Sequence, residues 1–218
     1  MSYTISKFHI SVNGSGIVSA ESYVPGNPHA VFVFAHGAGA GMNHSFMLEL
    51  AGALAELQIA TLRFNFLYME QGKKRPDSPA VAHQVIAAAI DKAHSMFPSL
   101  PLFAGGKSFG GRMTSQLLAL NEIPFVNGLI LVGFPLHPAK KPSLERAAHL
   151  INVKVPMLFL QGTKDALAEW DLISKVCANL SSASLVKLQG ADHSFKISKQ
   201  NAIPLLADAI STWIDEIS

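Results

Sequence analysis

The chain has 218 residues, 49% of them hydrophobic, with a formal net charge of +2 and a single cysteine. That is enough apolar material for one domain with a substantial core, and the near-neutral balance gives no ground for nucleic-acid binding. A lone cysteine excludes an internal disulfide, no apolar run reaches the length of a spanning helix, and Met1–Lys7 lacks the basic and apolar regions of a secretory signal, so a cytoplasmic protein without membrane contact is expected.

Lys7–Val12 and Ile17–Val24 flank Asn13-Gly14-Ser15-Gly16 and read as a hairpin. Ala30–Ala35 is an apolar strand, and Ser45–Leu57 an amphipathic helix with Phe46, Leu50, Leu54 and Leu57 at helical spacing. Ile59–Phe66 is a strand. Ser78-Pro79 supplies an N-cap and a proline at the first helical position, opening a helix to about Met96. Pro101–Ala104 is a strand, Phe109–Asn121 a helix, and Gly128–Val132 and Met157–Leu160 are strands, with a short helix near Ser143–Leu150 between them. Glu169–Leu180 is helical, Ser184–Leu188 a strand, and the last helix carries Ile203, Leu206, Ile210, Trp213 and Ile217. Alternation of helices with nearly all-apolar strands predicts an α/β fold, a mostly parallel sheet of about eight strands with helices on both faces. The leading hairpin would add an antiparallel edge. Ligands of such sheets sit at the carboxyl ends of the strands.

Chemistry gathers at those ends. Gly106-Lys107-Ser108-Phe109-Gly110, between a strand and a helix, is the G-x-S-x-G pattern of a nucleophile elbow, which holds its serine in a strained conformation with Oγ exposed. Side chains two positions either side of the serine would collide in so tight a turn. A serine hydroxyl needs a base, and the base an orienting acid. His193 follows the strand Ser184–Leu188, and Asp165 follows Met157–Leu160; Ser108, Asp165, His193 is the chain order of the α/β-hydrolase triad. Asp192 adjoins the base, but sequence neighbours rarely face each other across a triad, so Asp165 is preferred as the acid. His36-Gly37-Ala38-Gly39-Ala40-Gly41 follows the strand Ala30–Ala35 and is small enough for backbone N–H groups to approach an oxyanion. The donors are assigned to the amides of Phe109 and Ala38, with Gly39 as the alternative.

Two other glycine-rich readings fail. A Walker A loop ending at Gly106-Lys107-Ser108 would need glycine at Pro101, and a dinucleotide fingerprint starting at Gly37 would need glycine at Met42. His9, His29, His44, His83 and His94 show no ligand spacing, so no metal site is proposed, and the chemistry calls for no cofactor. Cys177 lies in an apolar pattern and reads as a core thiol. His36 reads as a brace for the oxyanion loop; Gly39, Lys107, Arg112, Asn65, Tyr68 and His137 complete the set of pocket candidates. Lys73, Lys74, Arg75, Lys140 and Lys141 fall in loops at the same edge and, with Lys107 and Arg112, could steer an anionic substrate; solvated lysines are the plainer explanation.

The chain resembles an α/β hydrolase along nearly its whole length. More narrowly, Ala35-His36-Gly37-Ala38-Gly39, Gly105-Gly106-Lys107-Ser108-Phe109-Gly110-Gly111-Arg112 and Gly133-Phe134-Pro135-Leu136-His137-Pro138 resemble a small branch. That branch is similar to dienelactone-hydrolase-like proteins and testis-expressed protein 30, and is related to a scaffold subunit of a nuclear acetyltransferase complex. The resemblance implies the fold and the triad, not a substrate; dienelactone hydrolases use cysteine where this chain has Ser108. Only about twenty residues separate Gly133 from Pro156, where larger hydrolases insert a lid, so no cap domain and an open site for small acyl groups are expected. A small-molecule acyl substrate is the expected partner. A non-catalytic scaffold, or a peptidase or acyltransferase with the same triad, are the alternatives.

Overall fold

The computed structural model describes residues 3–198 and 200–218; Met1 and Ser2 of the segment read for a secretory signal lie outside them. Tyr3–Val12 (β1) and Gly16–Pro25 (β2) pair antiparallel around a turn in which Gly14 has φ +71°. β2 pairs antiparallel with Ile59–Phe64 (β4), and every later pairing in the sheet is parallel. The strands Ala30–Ala35 (β3), Leu102–Lys107 (β5), Val126–Val132 (β6), Met157–Gly162 (β7) and Ala183–Leu188 (β8) complete an eight-stranded sheet of order β1-β2-β4-β3-β5-β6-β7-β8. All residues of β3, β4 and β7 are buried, as a sheet covered on both faces requires.

The two faces sort by strand alternation. Phe32 and Phe34 of β3 face Ser45–Glu56 (α1) and Ala202–Ile217 (α6), packing with Leu50, Leu54, Leu206, Ile210 and Trp213. Val31 and Val33 face the opposite layer, made by Pro79–Met96 (α3), Phe109–Leu120 (α4), a 3₁₀ helix at Glu145–Asn152 and Trp170–Ala178 (α5). Ser78 occupies the N-cap position of α3, but its hydroxyl makes no capping bond; Pro79 alone shapes that start. The one-turn helix Leu67–Glu70 (α2) and the two-residue strands Lys196–Ile197 (β9) and Gln200–Asn201 (β10) are too short to leave a period in the sequence. Parallel strands all end on one edge, so the segments after β3, β5, β6, β7 and β8 converge there, and no cap domain covers them.

Candidate active site

Ser108 follows β5 with φ +49° and ψ −111°, a backbone conformation that costs a non-glycine residue about 1–3 kcal/mol. It stands at the N-cap of α4 without making a capping bond, which leaves its hydroxyl for other partners. The flanking glycines are needed for a reason other than crowding around the serine. A Cβ on Gly110 would lie 2.6 Å from the carbonyl oxygens of Ala35 and His36, and one on Gly106 would overlap the Ala35 carbonyl. The elbow is therefore pressed against the end of β3, and only glycine permits that approach.

Ser108 Oγ lies 2.8 Å from His193 Nε2, and His193 Nδ1 lies 2.7 Å from Asp165 Oδ2. With Nδ1–H donating to the carboxylate, Nε2 is free to accept from the serine hydroxyl. Asp165 is buried and held from three sides: its Oδ2 also accepts from Gln161 Nε2 at 2.6 Å, and its Oδ1 from the Leu167 amide at 2.8 Å. Asp192 is occupied elsewhere, its Oδ1 accepting from the amides of Ser194 and Lys196 at 2.8 and 2.9 Å. That capping role shapes the histidine turn, which continues into Phe195 at φ +60°. Three residues separated by up to 85 positions thus meet in one hydrogen-bonded line.

The serine opens on a cavity of about 180 Å³ lined by Gly37, Ala38, Ala40, His44, Phe46, Met47, Lys107, Ser108, His193 and Ser194. This is below the roughly 300–1,000 Å³ of common ligand pockets, so it admits a small group. The Phe109 N–H, at the first position of α4, has no intrahelical acceptor, and among the described residues the Ala38 N–H has no backbone partner. Among the described residues, no group of three or more His, Cys, Asp or Glu is placed to hold a metal ion.

The model of the alpha/beta hydrolase domain family matches residues 28–217. The chain belongs to the α/β hydrolase family. Among solved structures it is similar to a dienelactone hydrolase from Anabaena variabilis, with a TM-score of 0.83 at 20% identity over 100% of this chain and 99% of that one. An α/β serine hydrolase without lid from Xanthomonas campestris matches with a TM-score of 0.76 at 18% identity, over 99% and 96% of the two chains. The esterase domain of a Rhodothermus marinus protein matches with a TM-score of 0.75 at 18% identity, over 98% of each. At these identities the likeness is one of fold.

The remaining pocket candidates of this hydrolase divide into wall and support. Lys107 lines the cavity, but as an inward strut and not as part of a charged rim. Its ammonium donates to the His193 carbonyl at 2.7 Å and lies over the rings of Phe195 and Phe46, 5.2 and 5.9 Å from their centroids. Burial pushes its pKa down to about 8 against the pull of Asp165 and Asp192. The others stand outside the cavity wall. His36 is fully buried: its Nδ1 donates to the Gly37 carbonyl at 2.8 Å and its Nε2 accepts from the Phe66 amide at 3.2 Å. Burial lowers its pKa to about 4, so it is a neutral brace. Asn65 pins the far end of the same loop by accepting from the Met42 amide at 2.9 Å, and the Tyr68 ring packs behind it against His36. Gly39 turns the loop at φ +75°. His137 is buried beneath the acid loop, accepting from the Glu169 amide at 3.1 Å. Arg112 lies one turn along α4 with its Nε buried and unpartnered. Sequence reasoning missed His44, Phe46, Met47, Ala40 and Ser194 as wall residues; the first-turn position of Phe46, directly after a glycine-rich loop, was the available signal.

Proposed function

We propose that this α/β hydrolase is a carboxylesterase-like serine hydrolase, working as a single domain on an ester, thioester or similar small acyl compound. The observation that carries the reading is the relay of two short hydrogen bonds, Asp165 to His193 to Ser108, under a strained serine backbone. Ser108 Oγ attacks the acyl carbon while its proton passes to His193 Nε2. The oxyanion is met by the amides of Phe109 and Ala38. The carbonyl then re-forms, the bond to the leaving group breaks, and that group takes the proton from Nε2. Water repeats the sequence on the acyl-serine, with His193 as base, and releases the acid and the free serine. Asp165 fixes the tautomer and the orientation of the ring throughout. No step calls for a cofactor. The solved esterase and dienelactone hydrolase neighbours support the reaction type.

The substrate's charge is left to long-range forces, because the loop cations Lys73, Lys74, Arg75, Lys140 and Lys141 lie outside the cavity wall. An anionic acyl compound would be drawn by them only at low salt. We place the protein in a reducing compartment, the cytoplasm, with which a single free cysteine, Cys177, is consistent. No helix among the described residues is long and apolar enough to cross a membrane.

The test is labelling with a broad fluorophosphonate probe. The wild type takes up one label, and Ser108→Ala takes up none. Folded wild type that stays unlabelled would overturn the proposal in favour of a non-catalytic scaffold.

A further inference from the structure

Among the described residues in the wall of the serine's cavity, Lys107 is the one lysine, arginine or carboxylate, and no step of the reaction uses its charge. Its ammonium is enclosed by the rings of Phe195 and Phe46 and by Gly133, where a Cβ would stand 3.2 Å from Nζ. Burying an ammonium costs stability, and a methionine of nearly the same length would fill the space without that cost. What the charge does there is donate to the His193 carbonyl at 2.7 Å. Among the described residues no backbone amide donates to that carbonyl. The turn is tied on both sides of His193. The Gly190 amide donates to Thr163 Oγ1 at 2.8 Å, the Ala191 carbonyl accepts from the Lys164 amide at 2.9 Å, and Asp192 caps the amides of Ser194 and Lys196. At His193 itself the backbone anchor comes from the end of β5, the strand that leads into Ser108.

Two bonds therefore join the same two segments. One runs from Ser108 Oγ to His193 Nε2, and the reaction breaks it; the other runs from Lys107 Nζ to the His193 carbonyl, and the reaction leaves it alone. Once Ser108 is acylated, its Oγ has no proton to give, and the imidazole keeps only the bond from Nδ1 to Asp165. A single bond at Nδ1 leaves the far nitrogen free to swing, at the stage when Nε2 must face a water.

We propose that Lys107 is a positioning residue that keeps His193 in place through the acyl-serine stage, and so serves deacylation more than acylation. The inference rests on the serine-hydrolase reading. It is tested with p-nitrophenyl acetate, whose good leaving group makes the water step the slower one, in the wild type and in Lys107→Met. Melting temperatures and fluorophosphonate labelling are run alongside. Here kcat reports deacylation, whereas kcat/KM reports only the steps up to acylation. Lys107→Met should lose about 10²-fold in kcat, the effect of a slightly misplaced reacting group, and less than about tenfold in kcat/KM, so that KM falls with kcat. A wild-type readout needs no variant. Burial lowers the Lys107 pKa to about 8 against the pull of Asp165 and Asp192, and His193 and His44 are the other titratable groups around it. A neutral amine donates a weaker hydrogen bond than an ammonium, so kcat should turn down above about pH 8 while kcat/KM stays level. A loss in kcat/KM that equals or exceeds the loss in kcat in folded Lys107→Met, or no loss in either, would overturn the positioning role. So would a wild-type kcat that stays level to about pH 9.5, which decides the matter even where the variant does not fold. In each of these cases labelling of Ser108 leaves the hydrolase reading intact. Absence of both labelling and hydrolysis in the wild type would overturn the two together.

Discussion

At the scale of single residues, two neighbouring carboxylates have separate work. Asp165 meets the imidazole and Asp192 ties its own turn. Asp165→Asn should lower kcat/KM by roughly 10⁴-fold, because an amide facing Nδ1 favours the wrong histidine tautomer. Asp192→Asn should cost far less. Steady-state kinetics on one small ester decide the matter, and reversed effects would move the acid to Asp192. That Ser108, Asp165 and His193 meet is legible in the sequence because each follows a strand and the three come in a known order. The supporting cast is not. Phe46 looks like the first member of an apolar helical stripe, yet it walls the cavity. Lys107 looks like one more cation near the elbow, yet its side chain runs inward to a backbone carbonyl 86 positions away. Direction of a side chain at a strand end depends on neighbours that periodicity does not record.

At the scale of elements, the site depends on how closely the elbow can approach β3. Gly110→Ala would drive a Cβ into the Ala35 and His36 carbonyls, 2.6 Å away. A clash with backbone cannot be relieved by a rotamer change. Destabilisation of roughly 1–3 kcal/mol is expected, with loss of activity as the Phe109 amide is displaced. Gly26→Ala, which would place its Cβ in open space, is the control. Thermal melts of the two variants check this; equal melting temperatures would show that the elbow has room to spare. The sheet itself is readable in the sequence because its strands are almost wholly apolar and alternate with helices of matching period. What escapes is α2, the β9–β10 hairpin and the 3₁₀ helix's register, all shorter than the windows in which a period becomes visible.

At the scale of the whole molecule, several histidines are folded in as neutral groups. Burial lowers the pKa of His36 to about 4; burial, then the Arg112 charge, does the same for His149, and burial lowers His83 as well. The unfolded chain takes up protons near pH 6.5, so between about 6.5 and 4 it binds more protons than the fold does. Stability from this source is complete above that window and is lost as pH falls through it. His36 alone contributes on the order of 3 kcal/mol. Urea denaturation midpoints should therefore drop steadily from pH 7 to 4.5, and more shallowly in His36→Gln. A midpoint that does not move over that range would mean these rings carry their charge inside the fold.

The central claim is that Ser108 does the bond-making chemistry with His193 and Asp165 behind it. Its most direct measurement is kcat/KM for a small acyl ester in the wild type and in Ser108→Ala, with melting temperatures alongside. Triad members act as a unit, so the variant should lose on the order of 10⁴-fold or more. Its melting temperature should stay level or rise, since a strained functional serine is a burden on the fold. A Ser108→Ala protein that hydrolyses the ester within tenfold of the wild type would contradict the account.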